Sequence, residues 1–217
     1  MKSKISVPIL LVAITIPQVI FASWWNPIIT DSFDAYTDGS ILGQGGWTNY
    51  ANGANFIVTA IKKQNKAIHN VSIGDSVISK TGTLLADGKQ VVFIKTENRS
   101  NWGPYTDGNA QVRLSQGESF RSSIFTAVTF KSGGNVAYYD PVEDVYQNFA
   151  TYKDNQWTKL EIEWRSSDKT ARYQINKGKW TEWLTFNNAT SFTAFDNVGF
   201  DFNLPSGSGG VYFDNLR

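Results

Sequence analysis

The sequence predicts an all-β protein, a two-sheet antiparallel sandwich of the jelly-roll type, preceded by an N-terminal signal segment. From Ile28 onward, many short segments are rich in β-branched and aromatic residues, which favour strands. Clusters of Gly, Asn, Asp and Ser separate these segments, as turns require. No segment keeps a helical period over three turns, and so many short strands are typical of a sandwich or jelly roll.

The first 22 residues have the features of an export signal. Two lysines give a positive start, residues 7–16 form a short apolar core, and Ala22 is a small residue suited to cleavage. The apolar core is too short, and too interrupted by proline, for a membrane-spanning helix. We expect a signal peptide over residues 1–22, one β-jelly-roll domain over residues 23–217, and a secreted or cell-surface protein. The sequence leaves open whether the signal is cleaved or kept as an anchor.

The predicted strands are separated by turn signals along the whole domain, without a linker or a repeat of fixed period. Each combines β-branched or aromatic residues with the short length that strands have. In chain order they are NFIVTAI, KAIHNVSI, SVISK, QVVFIKTEN, AQVRLS, SFRSSIFTAVTF, NVAYY, KLEIEWRS, ARYQIN, NVGFDFN and GGVYFDNLR.

One hairpin can be predicted in detail. In WTKLEIEWRS, Leu160, Ile162 and Trp164 alternate with charged residues, so period two places the apolar set inward and the charges outward. A four-residue turn, SSDK, returns the chain and places Glu163 opposite Arg172, a pairing that stabilises a sheet by ~0.2–1 kcal/mol. The segment NKGK then leads into a third strand, WTEWL.

Composition argues against two classes of partner. The chain has 20 basic and 19 acidic residues, and without the signal segment 18 and 19 remain, a net charge of −1. A near-neutral domain offers no basic stripe for nucleic acid and no polybasic anchor for a lipid surface. The chain has no cysteine, so its core must hold the fold without disulfides, and about 195 residues suffice for one sizeable core.

The residues that catalysis would need are scarce, and we predict no catalytic residue. His69 is the only histidine, and it lies in a segment with strand alternation. No serine in the chain has a nucleophile motif around it that would make His69 the base of a catalytic triad. Glu161 and Glu163 share one strand face, the placement that a pair of glycosidase carboxylates requires. They are flanked by Lys159 and Arg165, and such cations keep carboxyl pKa values low, which is unsuitable for a general acid.

The stretch DSFDAYTDGSILGQGGWTNY, residues 31–50, contains three aspartates and four glycines. An EF-hand needs a glutamate at position twelve, but counting from Asp34 that position is Gly45. The glycines therefore indicate turns, and Phe33 and Trp47 are predicted to anchor the core.

Aromatic residues with polar neighbours are the strongest binding signal. Two lie in the Gly- and Pro-containing loop NWGPYTDGN, two lie on opposite faces of the strand NVAYY, and KWTEW holds two tryptophans at a spacing that cannot share one face of a regular strand. Exposed rings beside amides and carboxylates can stack on sugar rings while the polar groups bind hydroxyls. The predicted carbohydrate-binding residues are Trp102, Tyr105, Tyr138, Tyr139 and Trp183.

Three motifs give the chain a resemblance to a known superfamily: an opening F-D-x-Y-x-x-G-x-I-L, a mid-domain W-x-x-L-x-I-x-W and a closing V-Y-F-D-N-L-R. Through them the chain, from Asp31 to Arg217, resembles the concanavalin A-like lectin/glucanase superfamily, and more narrowly the laminin-G-like jelly-roll modules of exported bacterial proteins. The resemblance implies two stacked antiparallel sheets, with a glycan site on the concave sheet or the rim loops.

The resemblance also implies a metal site, and it allows the catalytic motifs of the superfamily's enzymes to be compared with this chain. In many relatives the first and last strands meet and bind one structural calcium ion, and the corresponding acids here are Asp31 and Asp214. Glucanases of the superfamily carry E-x-D-x-x-E or E-x-D-x-E, whereas here Glu161 and Glu163 are followed by Arg165. The acid/base carboxylate is therefore missing, and the Q-x-H motif of the alginate lyases is also absent.

The leading hypothesis is an exported, lectin-like module that binds a polysaccharide or glycan without catalysis. One alternative is a cell-surface structural or protein-interaction jelly roll. The other is a divergent polysaccharide hydrolase or lyase, which would need a cleft holding two carboxylates ~5–9.5 Å apart. The sequence leaves open which glycan is bound and the oligomeric state.

Overall fold

The structure, a computed structural model, describes residues 26–51, 56–62, 65–70, 74–97, 110–118, 122–204 and 210–217. Within these ranges the chain forms fifteen strands and one short 3-10 helix, Ala189–Ser191. The strands are β1 (Gly39–Ser40), β2 (Thr48–Ala51), β3 (Phe56–Lys62), β4 (Asn65–Asn70), β5 (Gly74–Leu85), β6 (Gly88–Thr96), β7 (Ala110–Ser115), β8 (Phe125–Phe130), β9 (Asn135–Asp140), β10 (Val145–Thr151), β11 (Thr158–Arg165), β12 (Thr170–Ile175), β13 (Leu184–Thr185), β14 (Phe195–Leu204) and β15 (Val211–Asp214).

The strands form two antiparallel sheets, which confirms the predicted sandwich. The eight-stranded sheet has the order β1-β3-β4-β15-β6-β11-β12-β13, and the seven-stranded sheet has the order β10-β9-β8-β7-β14-β5-β2. Neighbours in the sheets are often distant in sequence, because β15 lies between β4 and β6 and β14 lies between β7 and β5. Residues from both ends of the described chain therefore meet inside one sheet.

The two ends of the described chain also pair outside the named strands. Asp31 and Leu216 form an antiparallel bridge with two backbone hydrogen bonds of 2.9 Å. The meeting of the first and last segments, which the resemblance implied, is therefore present in the backbone.

The core between the sheets is mainly aromatic and branched aliphatic. Phe33 and Trp47 are each only 1% exposed, which confirms both as core anchors. Trp47 stacks on Phe200 of β14 at 5.3 Å, and Phe200 stacks on Phe213 of β15 at 4.1 Å. This column of rings joins the two sheets, and burial of such rings stabilises a sandwich through its large apolar area.

The predicted hairpin forms with the predicted register. Leu160, Ile162 and Trp164 are fully buried, and Glu163 lies opposite Arg172 in the β11–β12 pair. The third strand is shorter than expected, since only Leu184 and Thr185 pair with β12. The residues before Leu184 do not form a regular strand. Strand alternation therefore does not decide on which face the two tryptophans of WTEW lie.

Strand β10 was missed in the sequence because its alternation is weak. It is an edge strand of the seven-stranded sheet, its residues are exposed or half-buried, and a bulge interrupts its pairing between Asn148 and Ala150. An edge strand with a bulge does not show the regular apolar face of a central strand. None of the described residues forms a helix long and apolar enough to cross a membrane.

Candidate functional site

The outer face of the seven-stranded sheet carries a continuous set of polar and aromatic side chains. In β14, Val198, Phe200 and Phe202 are fully buried, so the alternate residues Asn197 and Asp201 lie on the other face. The antiparallel register places neighbours from β5 and β7 beside them, and β8, β9 and β10 continue the same face. Its members include Ser79, Thr81, Gln111, Arg113, Ser115, Thr129, Tyr139, Tyr146, Asn197 and Asp201.

One end of this face forms a cleft of about 360 Å³, which we call the sheet cleft. Its volume lies at the small end of the ~300–1,000 Å³ that ligand pockets span. The cleft contains one tyrosine, two amides, three Ser or Thr hydroxyls and one carboxylate, and its lining residues are Thr48, Asn49, Tyr50, Ser79, Thr81, Glu118 and Asn197.

Asn197 is the most informative group of the sheet cleft. It is 2% exposed, and its side-chain amide donates a 3.1 Å hydrogen bond to the Thr81 hydroxyl. Its Oδ1 has no hydrogen-bond partner among the residues that the structure describes. A buried amide oxygen without a donor costs ~1–3 kcal/mol, so this side chain is under-satisfied within the described part of the chain. Tyr50, 39% exposed, supplies a ring beside it.

The middle of the same face is held by an arginine and by tyrosines. The Arg113 guanidinium stacks on Phe125 at 3.5 Å from its centroid and donates to the Ser122 carbonyl oxygen. Burial lowers the pKa of Arg113 to about 10. The hydroxyl of Tyr146 accepts a 2.7 Å hydrogen bond from Gln111, and burial raises the pKa of that tyrosine.

Tyr139 belongs to this outer face, while Tyr138 lies on the opposite side of β9. The Tyr139 hydroxyl donates a 2.7 Å hydrogen bond to Asp144, which raises the pKa of the tyrosine to about 12. Tyr138 stacks on Tyr173 at 5.5 Å and packs against the core at the sandwich edge. The expectation that the two rings point to opposite faces therefore agrees with the structure.

Tyr138 and Trp183 are brought together in a second cleft of about 360 Å³, which we call the edge cleft. Tyr138 lies in β9 of the seven-stranded sheet and Trp183 directly precedes β13 of the eight-stranded sheet, so only the sandwich makes them neighbours. The other lining residues are Asp140, Val142, Glu143, Leu184 and Thr185. Tyr139 lines neither cleft, and Trp102 and Tyr105 lie outside the described residues.

Glu161 and Glu163 belong to an ion network on the outer face of the eight-stranded sheet. Glu161 binds Lys89 at 2.5 Å and Lys159 at 2.8 Å, and Glu163 binds Arg172 at 2.6 Å and Lys89 at 3.7 Å. Burial alone would raise the pKa of Glu161, but hydrogen bonds from both lysines outweigh it and hold the pKa below its usual range. The side chains of Glu161 and Glu163 are only 5% and 6% exposed. The strand face was expected to be solvated, and it is instead largely buried.

Two tryptophans cover the ion network. Trp180 lies over Lys89 at 5.4 Å and over Arg172 at 4.6 Å. Trp183 also contacts Arg172 at 4.6 Å. The expectation that the two rings cannot share a face concerned a regular strand and does not apply here, because the chain before β13 is irregular.

Asp31 holds one end of the sandwich through four donors. Its carboxylate accepts hydrogen bonds from Tyr36 (2.5 Å), Lys80 (2.8 Å), Trp47 (3.1 Å) and the backbone of Phe33 (3.0 Å). Lys80 forms an ion pair with it. The positive charge of this ammonium on Oδ2 disfavours a calcium ion at the same carboxylate.

In β15, Phe213 is buried in the core. Because side chains alternate along a strand, Asp214 lies on the opposite face of the sheet. Its carboxylate accepts hydrogen bonds from the side chains of Asn65 (3.3 Å) and Asn215 (2.9 Å) and from the Asn215 backbone (2.7 Å). Burial raises the pKa of Asp214 to about 6. The structure therefore joins the two segments in the backbone, and the carboxylates of Asp31 and Asp214 have different hydrogen-bond partners.

Calcium needs six to eight oxygen ligands, usually with several carboxylates. The described part of the chain contains no group of three or more His, Cys, Asp or Glu side chains that could hold a metal ion. Calcium binding stays a prediction, and these residues do not assemble a ligand set for it.

Sequence reasoning missed the sheet cleft. Asn197 opens the segment NVGFDFN, which was predicted as a strand, and alternation places it opposite the inward phenylalanines. Alternation therefore indicates the sheet face on which Asn197 lies, but it does not indicate which residues lie beside Asn197. Tyr50 belongs to the turn-rich opening stretch, and only the sheet order brings β2 close to β14.

Neither a known sequence family nor a curated protein matches this chain. Solved structures do match its fold. A sialidase superposes with a TM-score of 0.63 at 11% identity over 88% of this chain, which spans 18% of the sialidase. A carbohydrate esterase from a Shiga toxin-encoding bacteriophage gives 0.56 at 10% identity, covering 88% of this chain and 97% of that one.

Two further structures are of similar overall length. The endo-β-1,3(4)-glucanase SCLam gives a TM-score of 0.55 at 9% identity, covering 89% of this chain and 90% of that one. Lectin II from Ulex europaeus gives 0.51 at 11% identity, with 87% and 99% covered. At these identities the comparisons establish the concanavalin A-like jelly-roll fold.

Proposed function

We propose that this protein is an exported carbohydrate-binding module that does not turn its ligand over. The observation that carries the proposal is the sheet cleft, where two asparagine amides, three Ser or Thr hydroxyls and the half-exposed ring of Tyr50 line one concavity. A hydroxyl donor and an apolar ring face are the two features of a sugar that such a cleft would recognise.

The rest of the sheet cleft supports the same ligand class. Its amides and hydroxyls can exchange hydrogen bonds with several sugar hydroxyls, and Glu118 can accept from one more. The cleft has no basic lining residue, so it offers no counter-charge for a phosphate chain. The concanavalin A-like fold of a lectin and of a glucanase agrees with this proposal.

The state of the paired carboxylates supports the proposal of binding without catalysis. Glu161 and Glu163 are both held by cations. The pKa of Glu161 is lowered, whereas a general acid at neutral pH needs a raised pKa. The arrangement gives these two side chains a structural role that accounts for their charge. We therefore assign no catalytic residue to the described chain.

The test is a binding screen against plant, algal and bacterial polysaccharides, followed by titration of the best ligand. Tyr50→Ala is expected to weaken binding about tenfold, since a stacking contact contributes ~0.5–1.5 kcal/mol beyond its buried area. Leu84→Ala is the control, because Leu84 is 64% exposed, lies on β5 and does not line the cleft. A screen without any bound glycan, or equal affinities for the two variants, would contradict the proposal.

A further inference from the structure

The edge cleft lies where the turn between β9 and β10 approaches β13, at an edge of the sandwich. It is separate from the sheet cleft, because the two share no lining residue. Its aromatic walls are Tyr138 from the seven-stranded sheet and Trp183 from the segment before β13. Val142, 80% exposed, adds an apolar rim.

Both aromatic walls are fixed from behind. Tyr138 is stacked on the buried ring of Tyr173 at 5.5 Å with nearly parallel planes. Trp183 packs against the guanidinium groups of Arg165 at 3.9 Å and Arg172 at 4.6 Å. Rings held in this way do not lose further freedom when a ligand binds, which favours binding.

The charge of the edge cleft has one sign. Asp140 and Glu143 line it, and none of its seven lining residues is basic. One oxygen of Asp140 accepts the backbone N–H of Val142 at 2.9 Å, which fixes that carboxylate. Neither acid forms an ion pair with any residue in the part of the chain that the structure describes.

The arginines behind Trp183 do not neutralise this rim, because they have acidic partners of their own. Arg165 pairs with Asp168, and Arg172 pairs with Glu163. An occupant of the cleft would therefore meet two aromatic rings and two uncompensated carboxylates. That combination attracts a cation with an apolar face, through charge pairing and cation–π contact.

We propose that the edge cleft is a second carbohydrate site, specific for a pyranose that carries a protonated amine. This inference rests on the proposed function, since it assumes that the occupant is a sugar. A neutral sugar would leave the two carboxylates without a counter-charge, and a uronate would be repelled by them. The amino sugar satisfies both the rings and the acids.

The experiment compares oligomers of glucosamine with N-acetylglucosamine oligomers of the same length, which differ in the charge of the amine. Titration calorimetry at pH 6 and low salt is expected to show about threefold to tenfold tighter binding of the amino oligomers, the range that one or two exposed charge pairs give. The preference is expected to shrink as salt rises through 0.5 M, because exposed charges are screened.

Two variants locate the effect. Glu143→Gln keeps the shape of an exposed side chain at the cleft rim and is expected to remove most of the preference for the amino oligomers. Glu182→Gln is the matched control, because Glu182 is an exposed neighbour of Trp183 that does not line the cleft, and the preference is expected to persist.

Equal or tighter binding of the acetylated oligomers would overturn the inference, as would a Glu143→Gln variant that keeps the preference. The Tyr50→Ala variant separates the two sites. If glycan binding depends on Tyr50 and never on Glu143, the edge site is refuted and the proposed function stands. If no sugar binds at either cleft, both are refuted.

Discussion

Replacement of Asp31 by alanine tests the organisation of the sandwich end most directly. The carboxylate joins residues from three places in the chain, because Trp47 and Lys80 donate to it along with the nearby Tyr36. Its bond from the Phe33 backbone also supports an unusual conformation, since Phe33 has φ = 61°. A left-handed backbone at a bulky residue is costly and persists only where the surroundings enforce it.

The size of the effect follows from the burial of the ion pair. The side chain of Asp31 is 6% exposed and that of Lys80 is 18% exposed, so the variant leaves an ammonium with little access to water. Breaking a buried pair costs about 3–5 kcal/mol, and the residual exposure of Lys80 reduces this. We expect a loss of about 2–4 kcal/mol in the free energy of unfolding, or roughly 5–12 °C in Tm for a domain of this size.

The pH dependence of this stabilisation has a definite sign. Burial alone would raise the pKa of Asp31, but its hydrogen bonds from Lys80 and Tyr36 outweigh burial and hold the pKa below the usual value. A lowered folded-state pKa stabilises the protein above the unfolded pKa, and this contribution is lost as pH falls through the folded value. The difference between wild type and variant is therefore expected to be largest above about pH 4 and to shrink below it.

The assay is urea unfolding with thermal denaturation, with Asp38→Ala as the control. Asp38 also pairs with a lysine, Lys66 at 3.0 Å, but its side chain is 67% exposed, so its loss is expected to cost less than about 1 kcal/mol. Equal losses for the two variants would refute the reasoning. A calcium-dependent rise in wild-type Tm that Asp31→Ala abolishes would also refute it, because Asp31 would then be a metal ligand.

Two other perturbations follow from buried groups. Burial raises the pKa of Asp214 to about 6 from an ordinary 3.8, so ionisation in the folded state lowers stability as pH rises from about 4 to 6. Asp214→Asn is expected to remove ~2–3 kcal/mol of this fall in the free energy of unfolding between pH 4 and 6. The same pH dependence in wild type and variant would contradict the raised pKa of Asp214. At Gly88, a Cβ would lie 2.4 Å from the Trp164 ring. Gly88→Ala is therefore expected to cost about 1–3 kcal/mol in denaturant unfolding. Gly133→Ala, whose nearest neighbour would be 3.5 Å away, is expected to cost little, and equal losses would contradict the contact.

Local patterns determined much of the fold. The alternation of Leu160, Ile162 and Trp164 requires no knowledge of distant residues, because the period of a strand is set by its own backbone. It was sufficient to assign the inward face of β11 and to place Glu163 opposite Arg172. Patterns failed where regular geometry ends, as at the edge strand β10 and in the irregular segment before β13.

The sequence by itself therefore determined the all-β class, the inward face of the β11–β12 hairpin and the two-sheet architecture. The tertiary structure decided which outward residues meet. Tyr50 and Asn197 share a cleft because β2 and β14 both pair with β5, and Tyr138 approaches Trp183 because two sheets are stacked. It also decided that Asp31 has an ammonium as its partner. Strand order and sheet stacking arise from contacts between residues distant in sequence, so local periodicity does not encode the composition of either cleft.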